Sequence, residues 1–265
     1  MDHIVWDSSP VIFSLGGFKI RWYSVFFALT FYLGYKFMEK VFAEKDRAES
    51  SLEPLLWHVA VGTIVGARLG HCLFYEPDYY LSRPLEILMV WKGGLASHGG
   101  AAGIFIGLTQ YCKKYKESLI WTLDHLSIPM ALGACFIRLG NFFNSEILGN
   151  VTDVPWAIIF KKVDSFPRHP AQLYESFSYL IIFLILITIY RKSKSEIKPG
   201  KMFGFFIFAV FTARFFIEFI KIRQEVYDTT LALNTGQLLS IPFIFSGLYL
   251  CLFYKKKEKK IPGSW

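Results

Sequence analysis

Seven predominantly apolar stretches recur along the chain at membrane-spanning length, at about residues 22–42, 55–75, 95–112, 119–138, 174–190, 202–220 and 238–254. A helix half in water would carry a polar stripe once per turn. LIIFLILITIY (180–190) and GFFIFAVFTARFF (204–216) show no such stripe. Polar residues gather in short connections and in one long one, residues 141–173, whose Val, Ile, Phe and Trp content between Pro155 and Pro167 predicts short strands. The pattern predicts an all-α polytopic membrane protein of seven transmembrane helices. Residues 1–265 form a single integral membrane domain, with a small outer lobe of about residues 141–173 between spans four and five.

Charge turns this pattern into a topology. The net charge of +8 could suggest nucleic acid, but the basic residues alternate between connections. Lys36, Lys40, Lys45 and Arg47 follow span one; Lys113, Lys114 and Lys116 follow span three; Arg191, Lys192, Lys194, Lys198 and Lys201 follow span five; Lys255, Lys256, Lys257, Lys259 and Lys260 follow span seven. Nine stand on the other side: Lys19, Arg21, Arg83, Lys92, Lys161, Lys162, Arg168, Lys221 and Arg223. The positive-inside rule then puts the N-terminus outside and the C-terminus in the cytoplasm, as an odd number of crossings requires. The lysine tail reads as an anchor for anionic lipid, and no nucleic-acid partner is expected.

Cys72, Cys112, Cys135 and Cys251 lie within or at the ends of apolar spans, without metal-type spacing, and read as small packing residues. Residues 1–21 lack the basic start and apolar core of a cleavable signal, so span one is expected to direct insertion. In GGLASHGGAAG (93–103), glycines flank Ser97 and His98, which suits either close passage of a ligand or helix packing through small residues.

Three arginines stand inside the apolar stretches: Arg68, Arg138 and Arg214. Each costs roughly 2.5–3.5 kcal/mol at mid-membrane on insertion scales, so each needs an internal partner or an anionic ligand. Phosphate is the obvious ligand. The densest polar cluster is Arg138, Asn141, Asn144, Ser145, Glu146 and Asn150, and a helix continued through Asn144 would put Arg138, Asn141 and Asn144 on one face. A guanidinium among amides suits phosphate oxygens, because its fork forms paired charge-assisted bonds. Arg214 and Glu218 are one turn apart and could equally form an internal ion pair. Lys221 and Arg223 are read as an outer rim that guides acidic head groups. Arg68 divides evenly between function and packing, and PRHPAQLYES (167–176) groups Arg168, His169, Gln172, Tyr174 and Glu175 at the start of span five. Tyr23 ends span one on the outer side, where an aromatic belt also accounts for it.

Together these motifs resemble the bacterial prolipoprotein diacylglyceryl transferases. The segments concerned are RWY (21–23), ARLGHCLFY (67–75), GGLASHGG (93–100), RLGNFFNSEILG (138–149), RHPAQLYE (168–175), ARFFIEF (213–219) and GQLLSIP (236–242). The resemblance implies transfer of a diacylglyceryl group from phosphatidylglycerol to the lipobox cysteine of a prolipoprotein signal peptide, with release of glycerol phosphate. It implies a multi-pass protein of the bacterial cytoplasmic (inner) membrane, whose partners are phosphatidylglycerol, lipobox preproteins and membrane lipid. The residues it implicates are Tyr23, His98, Arg138, Asn141, Glu146, Gly149, Arg214 and Glu218. The chain departs from the family pattern at Ile137, where glycine is usual, at Lys221, where arginine is usual, and in lacking a following Pro-Asp.

Such a reaction exchanges a carbon–oxygen bond to phosphate for a carbon–sulfur bond. Complete ionisation of a thiol of pKa about 8.5 gains roughly 30-fold at pH 7, near 2 kcal/mol. Each donor aimed at developing charge in a dry site is worth about 2.7–4 kcal/mol. Two arginines should therefore outweigh one base. Arg138 and Arg214 are expected to clamp the phosphate, Asn141 to orient it, and Glu146 and Glu218 to hold the guanidinium planes. His98 is the candidate base or a donor to the head group. No cofactor and no metal is expected. An anionic-lipid transporter would also want buried arginines, but the chain shows no internal repeat. An intramembrane protease would need a catalytic pair, and Asp124 stands alone.

Overall fold

The structure, a computed structural model, describes residues 3–193, 197–222 and 233–253. Lys194, Arg223 and the basic tail from Lys255 to Lys260 lie outside the described residues. The elements run β1 (Ile4–Trp6), β2 (Val11–Leu15), β3 (Phe18–Arg21), α1 (Trp22–Glu44), α2 (Leu52–Phe74), α3 (Pro77–Ser82), α4 (Ser97–Tyr115), α5 (Leu119–Asn144), β4 (Ile158–Phe160), β5 (Pro167–Arg168), α6 (Ala171–Lys192), α7 (Lys201–Ile217) and α8 (Thr235–Phe253). Among the described residues, four helices are long and apolar enough to cross a membrane: α5, α6, α8, and α7 with its 3-10 continuation to Ile220. The helices α1, α2 and α4 are comparable in length, at 23, 23 and 19 residues.

Two departures from the sequence expectation matter. The fold is mostly helical but not purely so. Before α1 stands an unexpected hairpin, β2–β3, whose turn is Leu15-Gly16-Gly17-Phe18, with φ of 52° and 87° at the glycines. Two positive φ values in a two-residue turn match the right-handed twist of a β-ribbon, and only glycine adopts both freely. Secondly, α5 runs six residues past Arg138 to Asn144. It stops where Ser145 turns left-handed (φ 56°), and the Ser145 and Glu146 N–H groups bond back to the carbonyls of Phe142 and Asn141 at 3.0 Å each.

The chain forms two compact units, residues 35–122 and residues 1–34 with 123–265. In the first, α2 and α4 carry glycine every fourth residue: Gly62, Gly66 and Gly70 on one, Gly99, Gly103 and Gly107 on the other. The two rows meet backbone to backbone, so that a Cβ at Gly66 would lie 2.7 Å from Gly103 Cα and one at Gly70 2.8 Å from Gly99 Cα. This contact accounts for Gly99 and Gly103 by packing alone. Arg68 also turns out to be structural, since its Nε donates to the Ile87 carbonyl at 2.9 Å, and its Nη1 and Nη2 donate to Gly93 and Glu86 at 2.5 Å. The guanidinium lies 4.8 Å over the Tyr80 ring. It ties together carbonyls of the connection from α3 to α4, two of them in the short 3-10 turn of residues 84–88.

In the second unit, β4 pairs in parallel with β1 and antiparallel with β5, giving sheet order β1-β4-β5. Ile158 and Phe160 turn inward onto Phe142 and Leu148, with Trp6, Phe143 and Leu173 closing the cluster. This core anchors the segment after α5. Arg168 grips Asp164 at 2.5 Å and fixes the approach to α6.

A methyl group at Gly66 must push α2 and α4 apart. Gly66→Ala is expected to cost about 1–3 kcal/mol, the usual range for overpacking, read as a lower melting temperature of the purified protein. An unchanged melting temperature would contradict the glycine contact.

Candidate active site

The polar site grows from one face of α6. Gln172, Glu175, Ser176 and Tyr179 recur at i, i+3, i+4 and i+7, a polar stripe along one side of a largely apolar helix, and all four are buried. Each is used. Gln172 Nε2 donates to the Glu146 carbonyl at 2.5 Å, Ser176 Oγ donates to the Cys135 carbonyl at 3.1 Å, and Tyr179 Oη donates to Glu175 Oε1 at 3.5 Å. Glu175 Oε2 forms an ion pair with Arg138, lying 3.0 Å from its Nε.

From Glu175 a chain of alternating charge continues. Lys221 Nζ lies 3.7 Å from Glu175 Oε1 and 2.7 Å from Glu218 Oε1. Arg214 Nε lies 3.6 Å from the same Glu218 oxygen. The order is therefore Arg138, Glu175, Lys221, Glu218, Arg214. Exposure along it is uneven. The side chains of Arg138 and Arg214 keep 16% and 27% of their surface open, against 0%, 6% and 10% for Glu175, Lys221 and Glu218. The two arginine side chains thus keep part of their surface open, and the groups joining them are more deeply buried. Three cations share two buried carboxylates, which leaves one positive charge in surplus.

Local sequence explains how the ends are brought together. Gly149 runs between two other backbone segments. Its N–H donates to the His169 carbonyl at 3.1 Å, the Asn150 N–H donates to Ile220 at 2.8 Å, and the Ile222 N–H donates to Leu148 at 3.1 Å. A Cβ at Gly149 would stand 2.5 Å from both Cβ and O of His169 and 3.0 Å from the Ile220 carbonyl. Glycine is required there to draw the end of α7, and Lys221 with it, against the start of α6. On the far side of Glu218, Asn234 and Gln237 form a reciprocal cap on α8, with the Gln237 N–H donating to Asn234 Oδ1 at 2.8 Å and the Asn234 N–H to Gln237 Oε1 at 3.0 Å. Asn234 Nδ2 also donates to the Glu218 carbonyl at 3.2 Å.

Seven of the eight residues singled out from the sequence lie in this unit. Arg138, Asn141 and Glu146 form one chain of hydrogen bonds. Arg138 Nη1 donates to Asn141 Oδ1 at 3.2 Å, and Asn141 Nδ2 donates to Glu146 Oε2 at 3.1 Å. Asn144 Nδ2 reaches the other Glu146 oxygen at 3.2 Å. The sequence expectation that Glu146 holds a guanidinium is therefore not met at Arg138: the Glu146 oxygens accept from Asn141 and Asn144, and Glu175 pairs with the Arg138 Nε. The second correction concerns Lys221, which is a buried bridge and not a rim charge. Gly149 owes its place to close backbone approach. Tyr23 packs against α5 at Gly140, where a Cβ would be 2.7 Å from its ring. His98 belongs to the other unit, exposed in the first turn of α4.

Two titratable groups beside the site are shifted by their surroundings. The Arg168 guanidinium holds the Asp164 carboxyl below the usual carboxylate range. Burial pushes the His169 imidazole down, which disfavours its charged form. Its Nδ1 lies 3.2 Å from the Tyr174 hydroxyl.

The sequence profile described as prolipoprotein diacylglyceryl transferase matches residues 10–253. The chain belongs to that family. A relative from Chloroherpeton thalassium named phosphatidylglycerol–prolipoprotein diacylglyceryl transferase is 50% identical over 260 residues, covering 98% of this chain and 97% of its own. Relatives of the same name from Tolumonas auensis and Bacteroides fragilis are 43% and 42% identical, covering 97% and 96% of this chain and 100% and 96% of their own. Within the family frame, the arginine-bearing motifs on α5 and α7 are the two ends of the ion-pair chain. Sequence reasoning missed Glu175 as their link, and the signal for it was the polar stripe of α6.

Removing one member of a buried ion pair costs about 3–5 kcal/mol, whereas an exposed pair is worth under about 1 kcal/mol. Glu175→Gln is accordingly expected to lower the melting temperature well below that of Glu146→Gln. The reverse order would refute Glu175 as the keystone of the cluster.

Proposed function

We infer that this protein transfers the diacylglyceryl group of phosphatidylglycerol to the lipobox cysteine thiol of a prolipoprotein, forming a thioether and releasing glycerol phosphate. The observation that carries this reading is the chain of buried ion pairs joining Arg138 to Arg214. The cysteine sulfur attacks the glyceryl carbon next to the phosphate. That carbon–oxygen bond breaks, and the oxygen leaves with the electron pair as part of glycerol phosphate. Arg138 and Arg214 bind the phosphoryl oxygens and take up the charge that grows there. Glu175, Lys221 and Glu218 hold both guanidiniums at a fixed separation. Asn141, itself fixed by Glu146, orients the Arg138 edge, and Tyr23 closes the same side.

The thiol proton goes to a base, for which His98 is the candidate; its alternative role is to donate to the glycerol head group. All seven long helices are read as spans, with the N-terminus and the segment 141–173 outside and the C-terminus in the cytoplasm. The protein then sits in the bacterial inner membrane, where both substrates reach it from the lipid. The polar site holds arginine, lysine and carboxylate in mutual pairs, so charge on the leaving group is met without a metal or cofactor.

The decisive assay uses purified protein, phosphatidylglycerol and a lipobox peptide, scoring thioether and released glycerol phosphate. Arg138→Lys keeps the charge but loses the planar fork, and should lose about 100-fold or more of the rate, equivalent to one aimed donor of about 2.7–4 kcal/mol. Near-normal turnover would discard the clamp. In the same assay, His98→Gln should abolish the acidic limb of the pH–rate profile if His98 is the base. An unchanged rate and profile would remove it from that role.

A further inference from the structure

Asp124 stood alone in the sequence as a carboxylate inside an apolar stretch. In the structure it is 3% exposed, and both its oxygens are taken by the backbone of another helix. Oδ2 accepts from the Gly200 N–H at 2.7 Å, and Oδ1 accepts from the Phe203 N–H at 2.9 Å. These are unpaired donors at the start of α7. The N-cap of α7, Gly200, is left-handed (φ 83°) and has no side chain to cap its own helix. The cap comes instead from α5, and a carboxylate also suits the positive end of the α7 dipole.

The geometry assigns Asp124 a second task. Asp124 and Arg138 are fourteen residues apart on α5, and Gly200 and Arg214 are fourteen residues apart on α7. At about 1.5 Å per residue both intervals are about 21 Å, so the cap at one end and the two arginines at the other form rungs of one ladder. We propose that Asp124 is a positioning residue that locks the register of α7 against α5 and thereby sets the spacing of Arg214 from Arg138. A slip of α7 by one residue moves Arg214 by about 1.5 Å along the axis and turns it by about 100°. The two-point grip resists both, because one oxygen alone would leave α7 free to pivot. This inference rests on the reading of Arg138 and Arg214 as the phosphate clamp, and its test separates the two.

Nitroxide labels are placed at Phe177→Cys on α6 and Phe216→Cys on α7, both exposed, with Cys251→Ser to limit background labelling. Arg138 and Ser176 tie α6 to α5, so the label distance reports α7 against that pair. In the full-length protein, Asp124→Ala should shift or broaden the distance distribution. It should lower kcat by about tenfold to 100-fold, with KM within about twofold, since misplacement by about 1 Å at a reacting centre has that effect. Asp124→Asn keeps one acceptor oxygen and should fall between the two; it is the variant judged if alanine does not fold. An unmoved distance in a folded variant overturns the anchor, whatever the rate. A moved distance with undiminished kcat supports the anchor and overturns Arg214 as a phosphate ligand.

Discussion

A guanidinium inside an apolar bundle must be paired, and the pairing it finds decides what remains open to a ligand. Here the constraint is met by passing charge along a line. Arg138 leans on Glu175, Glu175 on Lys221, Lys221 on Glu218, and Glu218 on Arg214. Each carboxylate serves two cations, so neither arginine is fully neutralised. The rest of this unit can be read as the means of holding that line. The α6 stripe supplies Glu175, the end of α7 supplies Glu218 and Lys221, the α8 cap steadies Glu218, and Gly149 lets the backbone segments close up.

The same constraint separates the arginines that look alike in the sequence. Arg68 spends its donors on carbonyls of Glu86, Ile87 and Gly93 and is 2% exposed. Carbonyls neutralise no charge, but they satisfy the fork, and the group is closed to a ligand. Arg138 and Arg214 meet carboxylates that are shared, and both stay partly open. A buried arginine is thus a structural clamp when its partners are backbone oxygens of one loop, and a candidate anion site when its partners are carboxylates held in common.

Much of this was legible in the chain. The apolar runs marked the long helices to within a few residues, and the spacing of Arg138, Asn141 and Asn144 foretold a shared face. What escaped is of two kinds. Local chemistry was overlooked in the Gly16-Gly17 hairpin and in the Asn234 to Gln237 cap, both of which carry recognisable signatures. Other features depend on contacts between distant segments, such as Glu175 with Arg138, Lys221 beneath the site, or Gly149 between His169 and Ile220. No spacing within one helix encodes these. The assignment of Glu146 to Arg138 failed for that reason: closeness in sequence favoured it, while the helix end at Ser145 turned Glu146 toward Asn141 and Asn144.

The central claim is that one phosphate is held by both arginines at once. The most direct test is an experimental structure of the protein with phosphatidylglycerol bound and no peptide present. The phosphoryl oxygens should lie within hydrogen-bond distance of the guanidiniums of both Arg138 and Arg214, with Glu175, Lys221 and Glu218 still paired behind them. A phosphate bound by one arginine alone, or bound elsewhere with the line of ion pairs undisturbed, would contradict it.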